Sequence, residues 1–215
     1  MLAIIKKEFL TYFKSMTGYI FMASLLFFVG LFFVMSNLLS LSPEYNTVLS
    51  NITFVFLLVV PILTMRLMAE ETRQKTDQLL LTSPVSLTEI VMGKYLGAVS
   101  VLFLTLAITW IYPIILSTMG SVTWSEVIGG YIGFFLFGSA LIAVGLFISS
   151  ITDNQVIAAV ATFTTLLLLW FIDSIIGNLP TDRIAGMIFA GVLAAAVAFI
   201  FYMATRNLFV SGGIL

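Results

Sequence analysis

The chain has 215 residues, of which 61% are hydrophobic and only 9% are charged, and its mean hydropathy is +1.18. A water-soluble domain carries about 25% charged residues, so a chain this apolar is expected to reside in lipid. The net charge of −1 indicates neither a nucleic-acid partner nor an acidic substrate. The absence of cysteine and histidine excludes disulfide and thiol chemistry and removes the commonest general base and zinc ligand.

The uncharged stretches of the chain predict its membrane spans. A spanning helix needs about 20 residues, and six uncharged runs reach or approach that length without the period-two alternation of a barrel strand. We therefore predict an all-α, polytopic integral membrane protein with six transmembrane helices, to which the patterns described below add an N-terminal amphipathic interfacial helix and a short cytoplasmic helix. We expect residues 1–215 to form a single transmembrane domain, with the interfacial helix at 1–16 and spans at 17–41, 45–70, 88–117, 124–150, 154–176 and 183–205.

Residues 2–16 have the pattern of an in-plane surface helix. Apolar side chains recur there at spacings of three and four, from Leu2 to Met16, while Lys7, Thr11 and Lys14 fall on the opposite face. The alternative is a plain basic flank to the first span.

Basic residues are distributed unequally between the two ends of the predicted spans. Six spans place both termini on one side, and eight of the nine lysine and arginine residues then lie on that side, leaving Arg183 on the other. Because basic residues near helix ends stay in the cytoplasm, we expect both termini to be cytoplasmic and the protein to lie in the inner (plasma) membrane.

Local signals predict where helices begin and bend. Capping boxes are predicted at Ser86–Glu89, Thr123–Glu126 and Thr152–Gln155, and a helix start at Ser42–Glu44. The prolines Pro61 and Pro113 should kink spans two and three. We expect span two to continue without a break through Met65 to about Glu71, and a turn at 178–182 to separate the last two spans.

One segment is polar. Residues 66–94 hold eight of the chain's nineteen charged residues. Within it, Thr76 can cap a short helix, three leucines supply an apolar knob, and Ser83-Pro84 ends the helix. If the protein has a cytosolic partner, this segment is where we expect it to bind. The alternative is an ordinary solvated loop.

The same segment carries a family resemblance. From Met68 to Lys94 it reads M-A-E-E-T-R-Q-K-T-D-Q-L-L-L-T-S-P-V-S-L-T-E-I-V-M-G-K. This resembles the stretch between helices two and three of ABC-2 type transporter permeases, most closely the branch with gliding-motility and nitrous-oxide-reductase-maturation permeases. Lys75 and Gln78 depart from that pattern. It is matched by Glu70, Arg73, Thr76, Leu80, Leu81, Pro84, Val85, Glu89, Ile90, Gly93 and Lys94.

The resemblance implies a division of labour. The permease is one half of a membrane dimer, homo- or heterodimeric, and an ABC ATPase subunit binds beneath each half through a coupling helix at residues 76–83. The chain itself is then not an enzyme and binds no cofactor directly, and ATP and Mg²⁺ sit on the partner, since the sequence lacks a G-x-x-x-x-G-K-[ST] loop. The other partner is the lipid bilayer. The implied coupling residues are Glu70, Arg73, Thr76, Asp77, Leu79, Leu80, Leu81, Thr82 and Pro84.

The predicted spans have no charge at mid-membrane, which argues against ion-coupled transport. Candidate path residues are therefore uncharged, and an apolar path suggests a lipid-like or amphipathic cargo. The alternative for each is a side chain bonded to its own backbone. The candidates are Ser36, Asn37, Asn51, Thr53, Thr162 and Thr165.

Two other functions compete with a permease. An intramembrane enzyme without histidine or cysteine would need paired aspartates or a Ser–Lys pair, and Lys94 and Ser100 are spaced to face apart on a helix. The second alternative is a non-transporting scaffold that anchors an ATPase complex. Gly129 and Gly133 form a small-xxx-small pair that we expect to pack within the chain, the alternative being a dimer interface.

Overall fold

Helices account for nearly all of the chain that can be described. The computed structural model describes residues 2–74 and 86–178, and these contain helices and turns but no strand. The helices are α1 (Leu2–Lys14), α2 (Met16–Phe33), α3 (Asn46–Ile52), α4 (Phe56–Thr64), α5 (Ala69–Gln74), α6 (Leu87–Thr109), α7 (Ile111–Met119), α8 (Trp124–Ile151) and α9 (Gln155–Asn178), with a π-helical turn at Val34–Leu38 and a 3₁₀ turn at Thr53–Val55.

Five stretches of the described residues are long and apolar enough to cross a membrane. The all-helical membrane fold is therefore confirmed with five spans, while the sixth predicted span, 183–205, and the turn at 178–182 lie wholly or mainly outside the described residues. The five spans are Met16–Leu38, Asn46–Arg73, Leu87–Met119, Trp124–Ile151 and Gln155–Ile172.

The chain divides into two compact units, Met1–Leu167 and Leu168–Leu215, and the second is described only for the end of α9. In the first unit α2, α4, α6 and α8 pack side by side around a core that includes Phe21, Phe56, Leu102 and Ile142. Large apolar side chains also cover the outside of this unit, such as Phe27 and Phe103, each about two-thirds exposed. Such a surface is stable only against lipid or another protein.

The second span is interrupted, so the expectation of an unbroken helix to Glu71 is wrong. Helix α4 ends at Thr64, the turn Met65–Met68 follows, and α5 begins at Ala69. The turn contains neither glycine nor proline, and the groups that hold it come from other helices, as described below.

The two prolines act differently. The third span breaks at Trp110, between α6 and α7, because Pro113 has no N–H for the carbonyl of Thr109 and its ring crowds that carbonyl. Pro61 instead lies inside α4, which continues through it to Thr64.

Of the predicted helix caps, the one at Ser86 forms as predicted and the others do not. Ser86 forms the full capping box with Glu89 at the start of α6, as predicted. Thr123 precedes α8 but makes no side-chain cap bond. The cap of α9 is Asn154, whose Oδ1 accepts from the N–H of Val156, while Thr152 Oγ1 accepts only from the N–H of Asn154 itself. Helix α3 begins later than predicted, after Tyr45.

Glycines bring α8 against the second span. A Cβ on Gly145 would overlap the side chain of Thr64, and one on Gly138 would lie 2.8 Å from Leu102 and 2.9 Å from Phe56. Gly129 and Gly133 are different, since within the described residues a Cβ on either would meet nothing within 4 Å. The described packing thus uses other glycines of α8 than the pair singled out from the sequence.

Candidate functional site: the charged base of the bundle

One end of the bundle gathers most of its described charges. We call this end the base; it comprises α1, α5, the turn Met65–Met68 and the first turns of α6. Two of the predicted coupling residues, Glu70 and Arg73, are described, and both lie here. Glu70 accepts two hydrogen bonds from the Arg66 guanidinium, at 2.7 and 2.8 Å, and Arg73 is exposed. The others, Thr76, Asp77, Leu79 to Thr82 and Pro84, lie outside the described residues.

The turn between α4 and α5 exposes backbone groups that α8 satisfies. Ser149, fully buried on α8, accepts hydrogen bonds from the N–H groups of Met68 and Ala69, both at 3.2 Å. Its hydroxyl donates in turn to the carbonyl of Met65 at 3.3 Å. A helix that stops leaves such groups without partners, and burying them unpaired is costly. A hydroxyl from another span therefore satisfies three backbone groups at the interruption.

The same turn receives a second group from α6. The Lys94 ammonium, whose side chain is 2% exposed, donates to the carbonyl of Leu67 at 2.7 Å. It also lies 2.8 Å from Glu71 Oε2 on α5 and 3.4 Å from Glu8 Oε1 on α1. We call Glu8, Glu71 and Lys94 the base cluster. Lys7, which is largely exposed, lies at its edge, 3.9 Å from Glu71.

Helix α1 packs against the spans at this cluster. A Cβ on Gly97, one turn beyond Lys94 on α6, would be 2.7 Å from the Cβ of Glu8, so the glycine permits the two helices to approach closely. Tyr12 is buried and donates to the carbonyl of Leu63 at 3.1 Å. Burial, aided by the nearby charge of Glu8, raises the pKa of Tyr12 far above its usual range, so its hydroxyl remains a donor.

The two faces of α1 have different surroundings. Lys7, Thr11 and Lys14 are exposed, while Tyr12 and the partly buried Phe9 pack into the protein core. Much of the apolar face thus lies against the chain's own spans, although Met16, at its end, is 78% exposed.

At the end of the bundle opposite the base, the candidate path residues of the first two spans make mainly structural contacts. Asn51 donates to Ser36 Oγ at 3.3 Å. Asn37 is buried and donates to the carbonyls of Ser42 and Glu44, which fixes the loop after the π-helical turn. The hydroxyl of Thr53 donates to a carbonyl of its own span.

A shallow groove of about 320 Å³ runs between α3 and α8 at this end. Of the candidate path residues, Thr53 lines it, together with Asn46, Leu49, Ser50, Gly130, Gly133, Phe134 and Phe137. A wall that combines three apolar side chains with two hydroxyls and one amide suits an amphipathic molecule.

The candidates on α9 differ from one another. Thr165 donates to the carbonyl of Ala161 in its own helix, as the alternative interpretation expected. Thr162 is fully buried, and its hydroxyl has no hydrogen-bond partner among the described residues.

Sequence reasoning missed Glu8 and Ser149, and it did not assign Lys94 a partner. Glu8 carried a signal, because it is a charged residue on the side of α1 that also bears Ile5 and Tyr12. Ser149 carried none, since a serine near a helix end is ordinary. The pairing of Lys94 with Glu8 joins residues 86 positions apart, which local spacing cannot foresee.

The geometry gives no support to a Ser–Lys enzyme. Ser100 donates to the carbonyl of Leu96, at 2.6 Å, whereas the Lys94 ammonium is occupied by two carboxylates and a carbonyl.

Five apolar spans among the described residues, together with a charged base, define a multi-pass helical membrane protein. The sequence profile of the family described as ABC-2 family transporter protein matches residues 3–211. The chain therefore belongs to that family, and it is an integral membrane component of the permease type rather than a catalytic subunit. No curated protein and no solved structure matches it.

Proposed function

We propose that the chain is the permease subunit of an ATP-driven exporter, and that a separate ATPase drives it through residues 76–83. The observation that carries this proposal is the base itself. The structure holds both flanks of that segment, α5 and the start of α6, with buried polar contacts that reach α1 and α8. Such a construction suits a segment that must pass a push to the membrane spans.

The family assignment supports an ATPase partner. The sequence supports it independently, since the chain has no phosphate-binding loop of its own. We propose that ATP and Mg²⁺ bind only to that partner. In this arrangement both termini and the base lie in the cytoplasm and the protein sits in the inner (plasma) membrane, in accord with the lysines and arginines concentrated at the base. A second permease half, identical or related, completes the complex.

The motif from Glu70 to Lys94 favours the branch that contains gliding-motility and nitrous-oxide-maturation permeases. The groove between α3 and α8, with both apolar and polar side chains in its wall, favours a lipid-like or amphipathic cargo that leaves the cell or the inner leaflet. The second candidate function is a non-transporting scaffold for an ATPase complex, which would share the fold and the base.

A matched pair of substitutions tests the docking segment. Leu80→Asp places a charge on the predicted apolar knob and should abolish co-purification of the ATPase while leaving membrane insertion intact, because burying an unpaired carboxylate is strongly unfavourable. Leu41→Asp makes the same change at the opposite end, on a side chain that is 88% exposed, and should leave the complex unchanged. An equal yield of complex from both variants would refute the assignment.

Reconstitution separates the permease from the scaffold. Liposomes containing the complex and a fluorescent phospholipid are given ATP, and quenching by a membrane-impermeant reductant reports which leaflet holds the probe. ATP-dependent movement of the phospholipid supports transport of lipid-like cargo. ATP hydrolysis without movement of that probe or of an amphipathic peptide favours the scaffold.

A further inference from the structure

The base cluster joins three chain segments that are distant in sequence. Glu8 lies on α1, Glu71 on α5 and Lys94 in the second turn of α6. Helix α5 ends at Gln74 and α6 begins at Leu87, so the ion pair between Glu71 and Lys94 ties together the two ends of the chain on either side of residues 75–85. Glu8 extends that tie to α1.

Stability alone does not explain why a buried ion cluster occupies this position. Taking a lysine ammonium out of water is unfavourable, and a well-packed apolar side chain in its place often gives equal or greater stability. A hydrogen-bonded ion pair is more directional than an apolar contact, so it restricts the relative position of two helices more narrowly. An ammonium that must meet two carboxylates and the carbonyl of Leu67 at once has few alternative positions.

The contacts around the base cluster also favour one fixed position of α1 against α6. Gly97 allows α1 to lie directly on α6, and α1 makes its most extensive packing with that helix. The amide groups of the turn before α5 are held separately, by Ser149 of α8. Helix α1 therefore has a polar attachment to the flanks of residues 75–85, in addition to its apolar packing.

We propose that Glu8 and Lys94 are positioning residues that lock α1 to α5 and α6, so that the three helices move as one body when residues 75–85 are displaced. Helix α1 is then part of the device that transmits the ATPase stroke, and not only a membrane anchor. The stroke rests on the proposed function, whereas the lock is a property of the chain alone.

The absence of cysteine from the chain makes a spin-label test direct. Cysteines replace Thr11 on α1 and Met92 on α6, which are both exposed, and the distance between the labels is measured by pulsed electron resonance in nanodiscs. Without nucleotide or partner we expect one narrow distance distribution. In Lys94→Met it should broaden about twofold or more, because α1 is released to a range of positions. In Lys6→Met, which removes an exposed lysine of α1, the distance distribution should stay narrow.

A milder variant guards against misfolding. Glu8→Gln removes only the carboxylate that α1 contributes to the base cluster and leaves the pair between Glu71 and Lys94 in place. It should also broaden the distribution from Thr11 to Met92. If neither Lys94→Met nor Glu8→Gln broadens it, the lock is refuted.

A second measurement examines transmission and separates the two proposals. In the complex with its ATPase, labels at Thr11 and Phe147 report the movement of α1 relative to α8. We expect trapping with ATP and vanadate to shift this distance in the wild type, and Lys94→Met to lose the shift while ATP hydrolysis continues. A shift of equal size in the variant would refute transmission through the cluster. If no ATPase is bound and nucleotide has no effect on the wild type, the proposed function fails, while the nucleotide-free distances still decide the lock.

Discussion

Replacing Ser149 by alanine removes the hydroxyl that holds the turn between α4 and α5. That hydroxyl accepts from the N–H groups of Met68 and Ala69 and donates to the carbonyl of Met65. Ser149 and Ala69 are both fully buried, so water has poor access to the groups left behind. The variant therefore leaves the N–H of Ala69 without a partner in the interior and the N–H of Met68 without a partner at a partly buried position.

The size of the effect follows from those two donors. A buried hydrogen-bonding group left unsatisfied costs about 1–3 kcal/mol. The two share one acceptor at 3.2 Å, which is at the long end of the normal range, so the lower part of that range applies to each. We expect Ser149→Ala to lower the free energy of unfolding by about 2–3 kcal/mol, measured by SDS titration in mixed micelles with tryptophan fluorescence.

The adjacent residue is a matched control. Ser150 is exposed, and its hydroxyl donates only to the carbonyl of Phe147 in its own helix. Ser150→Ala should change the free energy of unfolding by less than about 0.5 kcal/mol, as for other surface substitutions. Equal losses in the two variants would mean that the turn is held by its own residues, and the reasoning about Ser149 would be refuted.

Two further predictions use the same titration. Gly145→Ala should destabilise the protein by about 1–3 kcal/mol, because the new methyl group overlaps Thr64, whereas Gly129→Ala should be neutral or stabilising by up to about 1 kcal/mol in an open helix position. Equal effects would show that α8 does not approach the second span as described. Asn154→Ala should cost about 1 kcal/mol through loss of the cap of α9, and Thr152→Ala clearly less; the reverse order would restore the cap predicted from the sequence.

The spans could be read from the sequence because lipid imposes a length and a composition on each crossing, and charges mark the ends. The cap at Ser86 could be read for a similar reason, since both its partners lie within one turn of helix. Thr123 presents the same pattern of residue types without the hydrogen bond. The pattern states that a bond is available, and the local backbone decides whether it forms.

The interruption of the second span could not be read in this way. Met65-Arg66-Leu67-Met68 consists of good helix formers, so propensity favours an unbroken helix there. The turn is stable because groups from α6 and α8, distant in sequence, bond to its backbone. The pairing within the base cluster could not be predicted from the sequence for the same reason, and only the position of Glu8 on an apolar face indicated it.

This interruption changes how a push at the base would travel. An unbroken second span would carry α5 with α4 as a single lever. In the structure α5 is separated from α4 by a turn, bound to α6 through Lys94 and to α8 through Ser149. A displacement of residues 75–85 would therefore reach the third and fourth spans through short polar contacts of α5, and the second span through the turn and through α1, whose Tyr12 donates to the carbonyl of Leu63. Under the proposed function, the helices that hold α5 would set the direction of coupling, and the sequence order of the spans would not.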